Sequence, residues 1–319
     1  MTNLRIHLFA LRESKAFCCT LSKRSKSEKE RLCPLANGLM QTVLNILQGS
    51  ISTAANGQSI QLSADSYIIS GESMRIDYQG SMQVTGGSSY ELPPSSTPLP
   101  SVPLGDSSMN IVMSDDLIKT LFLSKMPAQT LTINNEAQVA IFKRSIEAIR
   151  GLSLPRGATL EALQISYGAP NVRMTSGKAE MVQEISLTVF GSRPRVANQV
   201  FFTIKGKATF AVAFSVSHGK LSFSLSFGSL SELTLENSSV GAFDVWSMYD
   251  GISELLSATL IPKANRLLSD GYTLPMVESS ETEHFQIATD KDSLVVYTWE
   301  EQQVQPQETY VEWVTWEEV

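Results

Sequence analysis

A chain of 319 residues with 42% hydrophobic and 18% charged side chains is ordinary globular material, long enough for one large domain plus smaller pieces. No apolar run reaches the roughly 18 residues that cross a bilayer as a helix. The net charge of −7 argues against a broad basic surface for nucleic acid, because that affinity comes from many Lys and Arg displacing phosphate counterions.

The charge is uneven along the chain. Residues 1–31 carry eight Lys or Arg against three Glu, whereas residues 300–319 carry six Glu, no Lys or Arg, and both Trp313 and Trp316. Both ends read as solvated, poorly ordered segments. Leu4 to Leu11 is apolar but interrupted by Arg5 and His7, a poor core for a signal peptide. Cys18, Cys19 and Cys33 lack the paired spacing of a zinc site. One disulfide from Cys33 to Cys18 or Cys19 in an oxidising compartment, and three free thiols in a reducing one, both fit.

Leu35, Leu39, Val43, Leu44 and Leu47 recur at helical spacing between Pro34 and Gly49. Strands are predicted at 59–69 and 73–84, the second alternating Met74, Ile76 and Tyr78 with Arg75, Asp77 and Gln79. Between Gly86 and Gly105, five prolines crowd among Gly and Ser; such a segment lacks backbone donors and reads as a semi-rigid linker that does not pack. Ser114 before Asp115 and Asp116 is a helix start, the hydroxyl accepting from free amides and the acids facing the positive end of the dipole. A second helical pattern carries Val139, Phe142, Ile146 and Ile149 up to Gly151.

From there the period changes from near 3.6 to 2. Phe202, Ile204, Gly206, Ala208, Phe210, Val212, Phe214 and Val216 alternate with polar or small residues, His218-Gly219 turns the chain, and Leu221, Phe223, Leu225 and Phe227 alternate with serines. This is a long antiparallel hairpin with one oily face. Shorter strands are expected at 160–165, 181–190 and 230–235. A long helix follows, with Val245, Met248, Tyr249, Ile252, Leu255, Leu256 and Leu260 inward. It crosses Pro262 with a kink or break, since proline removes an amide donor, and ends near Gly271. Phe285, Ile287 and Leu294 to Tyr297 form a last hairpin. Long curved strands wrapped against long helices make an α+β fold.

Catalytic constellations are missing from the sequence. There is no G-x-S-x-G elbow, no Walker A loop and no H-E-x-x-H, and His7, His218 and His284 are scattered. No catalytic residue, metal site or cofactor is expected, and the chain reads as a non-enzyme. Asn237-Ser238-Ser239 is the one N-glycosylation sequon, which marks Asn237 as a glycosylation candidate.

From Cys33 to Tyr297 the order of elements resembles the family of bactericidal/permeability-increasing protein, lipopolysaccharide-binding protein and the plasma lipid transfer proteins. The run Leu233-Thr234-Leu235-Glu236 leads through Gly241 to a long helix ending Pro262-Lys263-Ala264-Asn265-Arg266-Leu267-Leu268, with a Gly271-Tyr272-Thr273-Leu274-Pro275 exit. In that family a strand passes through a glycine turn into a helix ending P-x-x-N-x-x-L and a G-[FY]-x-L-P exit. The resemblance implies five segments: an atypical basic start at 1–31, the closing helix and strands of an incomplete first barrel or central sheet at 32–85, a linker at 86–108, a complete C-terminal barrel at 109–299, and an acidic tail at 300–319. It places Cys33 where the family has the helix-borne cysteine of its disulfide, without a clear upstream partner.

The resemblance also implies a secreted protein of innate-immune type that binds or transfers lipid, holding phospholipid-like acyl chains in an apolar cavity and touching membrane or lipoprotein surfaces transiently. Phe202, Phe210, Val212, Phe214, Leu221, Phe223, Leu225 and Phe227 would form the inner wall, faced from the helix by Trp246, Tyr249, Ile252 and Leu256. The alternative is that the same side chains fill a solid core and the barrel serves protein partners.

Overall fold

The computed structural model describes residues 4–8, 51–55, 58–70, 73–84, 89–91, 99–100, 102, 109–147, 149, 152, 154, 156–194, 196–274 and 283–300. In chain order these form β1 (Leu4–Leu8), β2 (Ile51–Ala55), β3 (Gln58–Ser70), β4 (Ser73–Val84), β5 (Ser89–Glu91), β6 (Met109–Ser114) and helix α1 (Asp115–Lys125). Next come β7 (Gln129–Ile133), helix α2 (Glu136–Glu147), β8 (Thr159–Tyr167), β9 (Asn171–Thr175), β10 (Lys178–Arg193), β11 (Val196–Ser217) and β12 (Lys220–Ser238). A 3-10 turn (Val245–Met248) leads into helix α3 (Tyr249–Leu268), followed by β13 (Tyr272–Thr273), β14 (Glu283–Asp290) and β15 (Ser293–Glu300). The predicted helix at 34–49, the three cysteines and the tail beyond residue 300 lie outside the described residues.

Two antiparallel sheets organise the chain. One runs β14-β15-β6-β1-β4-β3-β2 with β5 beside β4; the other runs β13-β12-β11-β10-β8-β7 with β9 beside the far half of β10. The first sheet bears on three segments of the chain. Residues 1–31 are not solvated as a block, for β1 sits between β4 and β6 with Ile6 paired to both Ile76 and Ile111. Alternation of Leu4, Ile6 and Leu8 with Arg5 and His7 is strand periodicity, and the gap between β4 and β6 offers hydrogen bonds on both sides. Within 109–299, β6, β14 and β15 pair in the first sheet and the other strands in the second. Lastly, the proline-rich segment does pack: Leu99 is buried against Val112 and Val295, with Val102 and Tyr297 beside it. Prolines remove backbone donors but leave the apolar side chains between them free to plug a sheet face.

The second sheet is the barrel wall. At 22 residues β11 spans about 70 Å, beyond the usual strand length, so it must coil around its contents. The coiling is localised at register shifts between β11 and β12 at Thr203/Ile204, Lys205/Lys207 and Thr209/Phe210. At the middle one Glu232 takes the left-handed conformation (φ 55°), and Leu233 folds over Gly206, where a Cβ would lie 2.7 Å from Leu233 Cδ2. These bulges change the inward phase of β12 from Leu221, Phe223 and Leu225 to Leu230 and then Leu233. The expected separate strand at 230–235 is therefore the continuation of β12.

Helices α1, α2 and α3 pack on the inward face. Ser114 caps α1 as expected, its Oγ accepting from the Leu117 amide at 3.2 Å, and the helix buries Leu117, Ile118, Leu121 and Phe122. Helix α3 buries Ile252, Leu255, Leu256, Leu260, Ala264 and Leu268. It is continuous through Pro262, so of the expected kink or break the break does not occur. Pro262 and Ala258 are both exposed, so the carbonyl that loses its donor faces water. One turn later Asn265 lies against β12: its Nδ2 donates to the Leu225 carbonyl at 3.0 Å and its Oδ1 accepts the Leu225 amide at 2.7 Å. Beyond Lys220–Leu221, which pair with β13, β12 is the outer strand of its sheet, and Asn265 supplies there the hydrogen bonds a neighbouring strand would make.

Candidate functional site

The inward face of β11 and β12 is a row of apolar side chains with no charge in it. Phe202, Phe210, Val212, Leu221, Phe223 and Leu225 are buried, and Phe214 and Phe227 are half-buried against the same cluster. Alternation alone puts them there: one strand pair turned at His218-Gly219 brings Phe210 opposite Phe227, Val212 opposite Leu225 and Phe214 opposite Phe223. From α3, Ile252 and Leu256 are buried in the same cluster, with Tyr249 half-buried at its margin.

Trp246 is the residue of the expected wall that the structure does not bring to it. It lies in the 3-10 turn ahead of α3 and is 51% exposed, its ring stacked on Tyr249 at 6.5 Å. The helical spacing that seemed to carry it inward begins only at Tyr249, because the Asp244 carboxylate accepts the Trp246 amide at 3.0 Å and sets a tighter turn.

Ring contacts tie the wall to its cover. The Phe223 centroid stands 4.9 Å from that of Phe122 on α1 and 5.6 Å from those of Phe214 and Tyr272. Phe202 meets Phe243 at 5.1 Å. Two phenols anchor the edges. Tyr272 donates from its hydroxyl to the Leu121 carbonyl at 2.5 Å and lies 3.0 Å from Ser124 Oγ, fastening β13 to α1. Burial pushes its ionisation upward. Burial likewise raises Tyr167 to about 12, against a hydrogen bond with Gln129 that lowers it.

One polar residue on the inward row of β10 was not singled out by sequence reasoning. Gln183 is fully buried opposite Ala208; its Nε2 donates to the Gly168 carbonyl at 2.8 Å while its Oε1 has no partner among the described residues. A glutamine at a core-phase position of an otherwise apolar strand was the available signal. It holds the corner where the chain leaves β8 for β9. On the opposite, solvent face of the sheet an open groove of about 560 Å³ is lined by Lys205, Lys207, Glu184, Glu232, Ser186 and Thr234, among others. Its lysines are engaged, Lys205 with Glu236 and Lys207 with Glu232 at 2.7 Å. Asn237 is exposed near the end of β12, opposite Thr203. Cys33 lies outside the described residues.

The sequence profile of the LBP / BPI / CETP family, C-terminal domain, matches residues 157–298. Those residues are similar in sequence to that family's C-terminal domain. They include the long hairpin, α3 with its Asn265 clamp, and the final hairpin. BPI fold-containing family B member 1 of Rattus norvegicus is 22% identical over 191 residues, covering 57% of this chain and 39% of the relative. The Mus musculus protein of the same name is 22% identical over 176 residues, covering 52% and 36%. The chain thus spans about two fifths of the length of these relatives. A crystal structure of lipopolysaccharide binding protein superposes with a TM-score of 0.43 at 14% identity, over 88% of this chain and 64% of that one. The described residues form an α+β fold, and the family match lies within it.

Proposed function

We propose that this domain binds and transfers lipid, taking phospholipid-like acyl chains against the inward face of β11 and β12 beneath α3. The observation that carries the reading is an uninterrupted apolar wall over a long coiled hairpin, with Phe214, Phe227 and Tyr249 only half-buried beside it. Acyl chain gains about 0.8 kcal/mol per CH₂ on leaving water, so a bound lipid exchanges with another apolar phase and not with solvent. The protein then acts as carrier or presenter between lipid assemblies, without a catalytic step, a cofactor or a nucleic-acid partner. Secretion belongs to the same proposal. Export of the full chain from eukaryotic cells with carbohydrate on Asn237, lost in Asn237→Gln, supports it; retention inside the cells counts against it, and export without such carbohydrate counts against glycosylation of Asn237.

A second reading has an observation of its own. The 4.9 Å contact of Phe122 with Phe223 closes α1 directly onto the sheet, as in a solid core serving protein partners. Phe214→Trp and Phe227→Trp separate the two. If lipid occupies the space beside these half-buried rings, the variants lose co-purified lipid on solvent extraction while delipidated proteins melt as the parent does. A close-packed interior instead shows no lipid in the parent and a loss of about 1 to 3 kcal/mol in the variants, which sinks the transfer reading.

A further inference from the structure

Among the described residues, three large apolar side chains are left exposed, and all three lie at one end of the barrel: Trp246 at 51%, Val196 at 46% and Val200 at 36%. That end is made by the loop before β8, the turn from β10 to β11, and the segment from β12 to the 3-10 turn. They are held together there. Ser239 donates its amide to the Phe201 carbonyl at 2.7 Å and its hydroxyl to the Val200 carbonyl at 3.0 Å, and Gly157 sits under Pro194. The opposite end of the barrel meets the first sheet, with the Gly177 amide donating to the Thr289 carbonyl at 3.0 Å. Among the described residues, the exposed apolar side chains are therefore at the end remote from this contact with the first sheet.

The charge of this end also departs from that of the chain. Among its described residues it carries Arg156 and Arg193 against Asp244, a positive balance in a protein of net charge −7. Arg156 is exposed, and the half-buried Arg193 lies 5.8 Å over the Phe201 ring and donates to the Ser239 carbonyl at 3.4 Å, which orients it at the rim. Exposed apolar side chains beside arginines, with a tryptophan at the boundary, are complementary to one kind of partner: an anionic lipid surface, into whose interface the indole sits while the exposed guanidinium of Arg156 meets phosphates.

We propose that this distal end, through Trp246, Val200 and Val196 with Arg156 and Arg193 beside them, is where the protein docks on anionic lipid surfaces. The proposal rests on the lipid reading above for its choice of partner but does not require an occupied interior. The test uses the full chain and vesicles of phosphatidylcholine alone or mixed equally with phosphatidylglycerol. The parent should co-sediment with the mixed vesicles, with the emission of Trp246 shifting blue against a Trp246→Phe reference. The double variant Trp246→Ser/Val200→Ser should lose about tenfold or more of that binding. Arg156→Gln should lose about five-fold, an effect that fades as salt rises. Lys220→Gln, at the opposite end, should bind as the parent does. Melting curves confirm that each variant folds, and bound lipid is extracted from the same preparations. Vesicle binding that the distal variants abolish supports docking whether or not lipid co-purifies, so a failed cavity and a failed docking end are told apart. A parent that ignores the mixed vesicles, or distal variants that bind them undiminished, overturns it. So does a parent dimer that Trp246→Ser dissolves without any vesicle binding, since a second copy then covers this end.

Discussion

Tyr272 shows how much one side chain can decide. Its ring packs on Phe223 while its hydroxyl reaches the Leu121 carbonyl and Ser124, so a strand of two residues is fixed to a helix 151 positions earlier in sequence. Both Tyr272 and Tyr167 are held neutral by burial, and an unfolded chain ionises them near 10. The native state therefore keeps protons that the unfolded state gives up. Stability from this source is complete below pH 10 and is lost as pH rises, through about 12 for Tyr167. Urea unfolding at pH 7 and above pH 10 checks this: Tyr272→Phe should cost about 1 kcal/mol at neutral pH through its lost hydrogen bonds, yet flatten the alkaline decline. An alkaline decline as steep as that of the parent would refute the assignment.

Among elements, α2 and α3 cross closely. Gly251 meets Ser145 so closely that a Cβ on it would stand 2.5 Å from Ser145 Cβ and Oγ. Gly251→Val should force the helices apart at a cost of about 1 to 3 kcal/mol. Gly251→Ala should cost less, and adding Ser145→Gly should recover part of that loss in a double-mutant cycle; strict additivity would disprove the contact. This crossing sets how far α3 can stand off the inward wall, and so bears on any room for lipid. Pro262 makes a complementary point. A proline predicts an interruption only where the deprived carbonyl has no other partner, and on the outer side of α3 water is that partner.

Across the whole molecule, the proline-rich segment is tied to the sheet it follows. Leu99 is anchored on Val112 and Val295, two strands of the first sheet that are distant in sequence. Leu99→Ser should leave the barrel intact but release this tie, seen as faster proteolytic cleavage within residues 86–108 at unchanged far-ultraviolet circular dichroism. Cleavage as slow as in the parent would show that the contact does not hold the segment.

The amino-acid sequence by itself determined the long hairpin, its turn at His218-Gly219, the cap of α1, the α+β class and the identity of the apolar wall residues, because each follows from local periodicity or a single side chain's hydrogen bond. Tertiary structure alone decided what depends on partners remote in the chain. Leu4–Leu8 becomes a strand because β4 and β6 leave a place between them. Leu230 turns inward because Gly206 and Glu232 allow a bulge. Asn265 becomes a clamp because α3 lies along the unpaired edge of β12. Trp246 is turned outward by the 3-10 turn that Asp244 caps, and it joins Val196 and Val200 only because β11 and β12 end together. Periodicity is a property of neighbours a few residues apart, whereas edges, bulges and exposed ends are set by which strands meet.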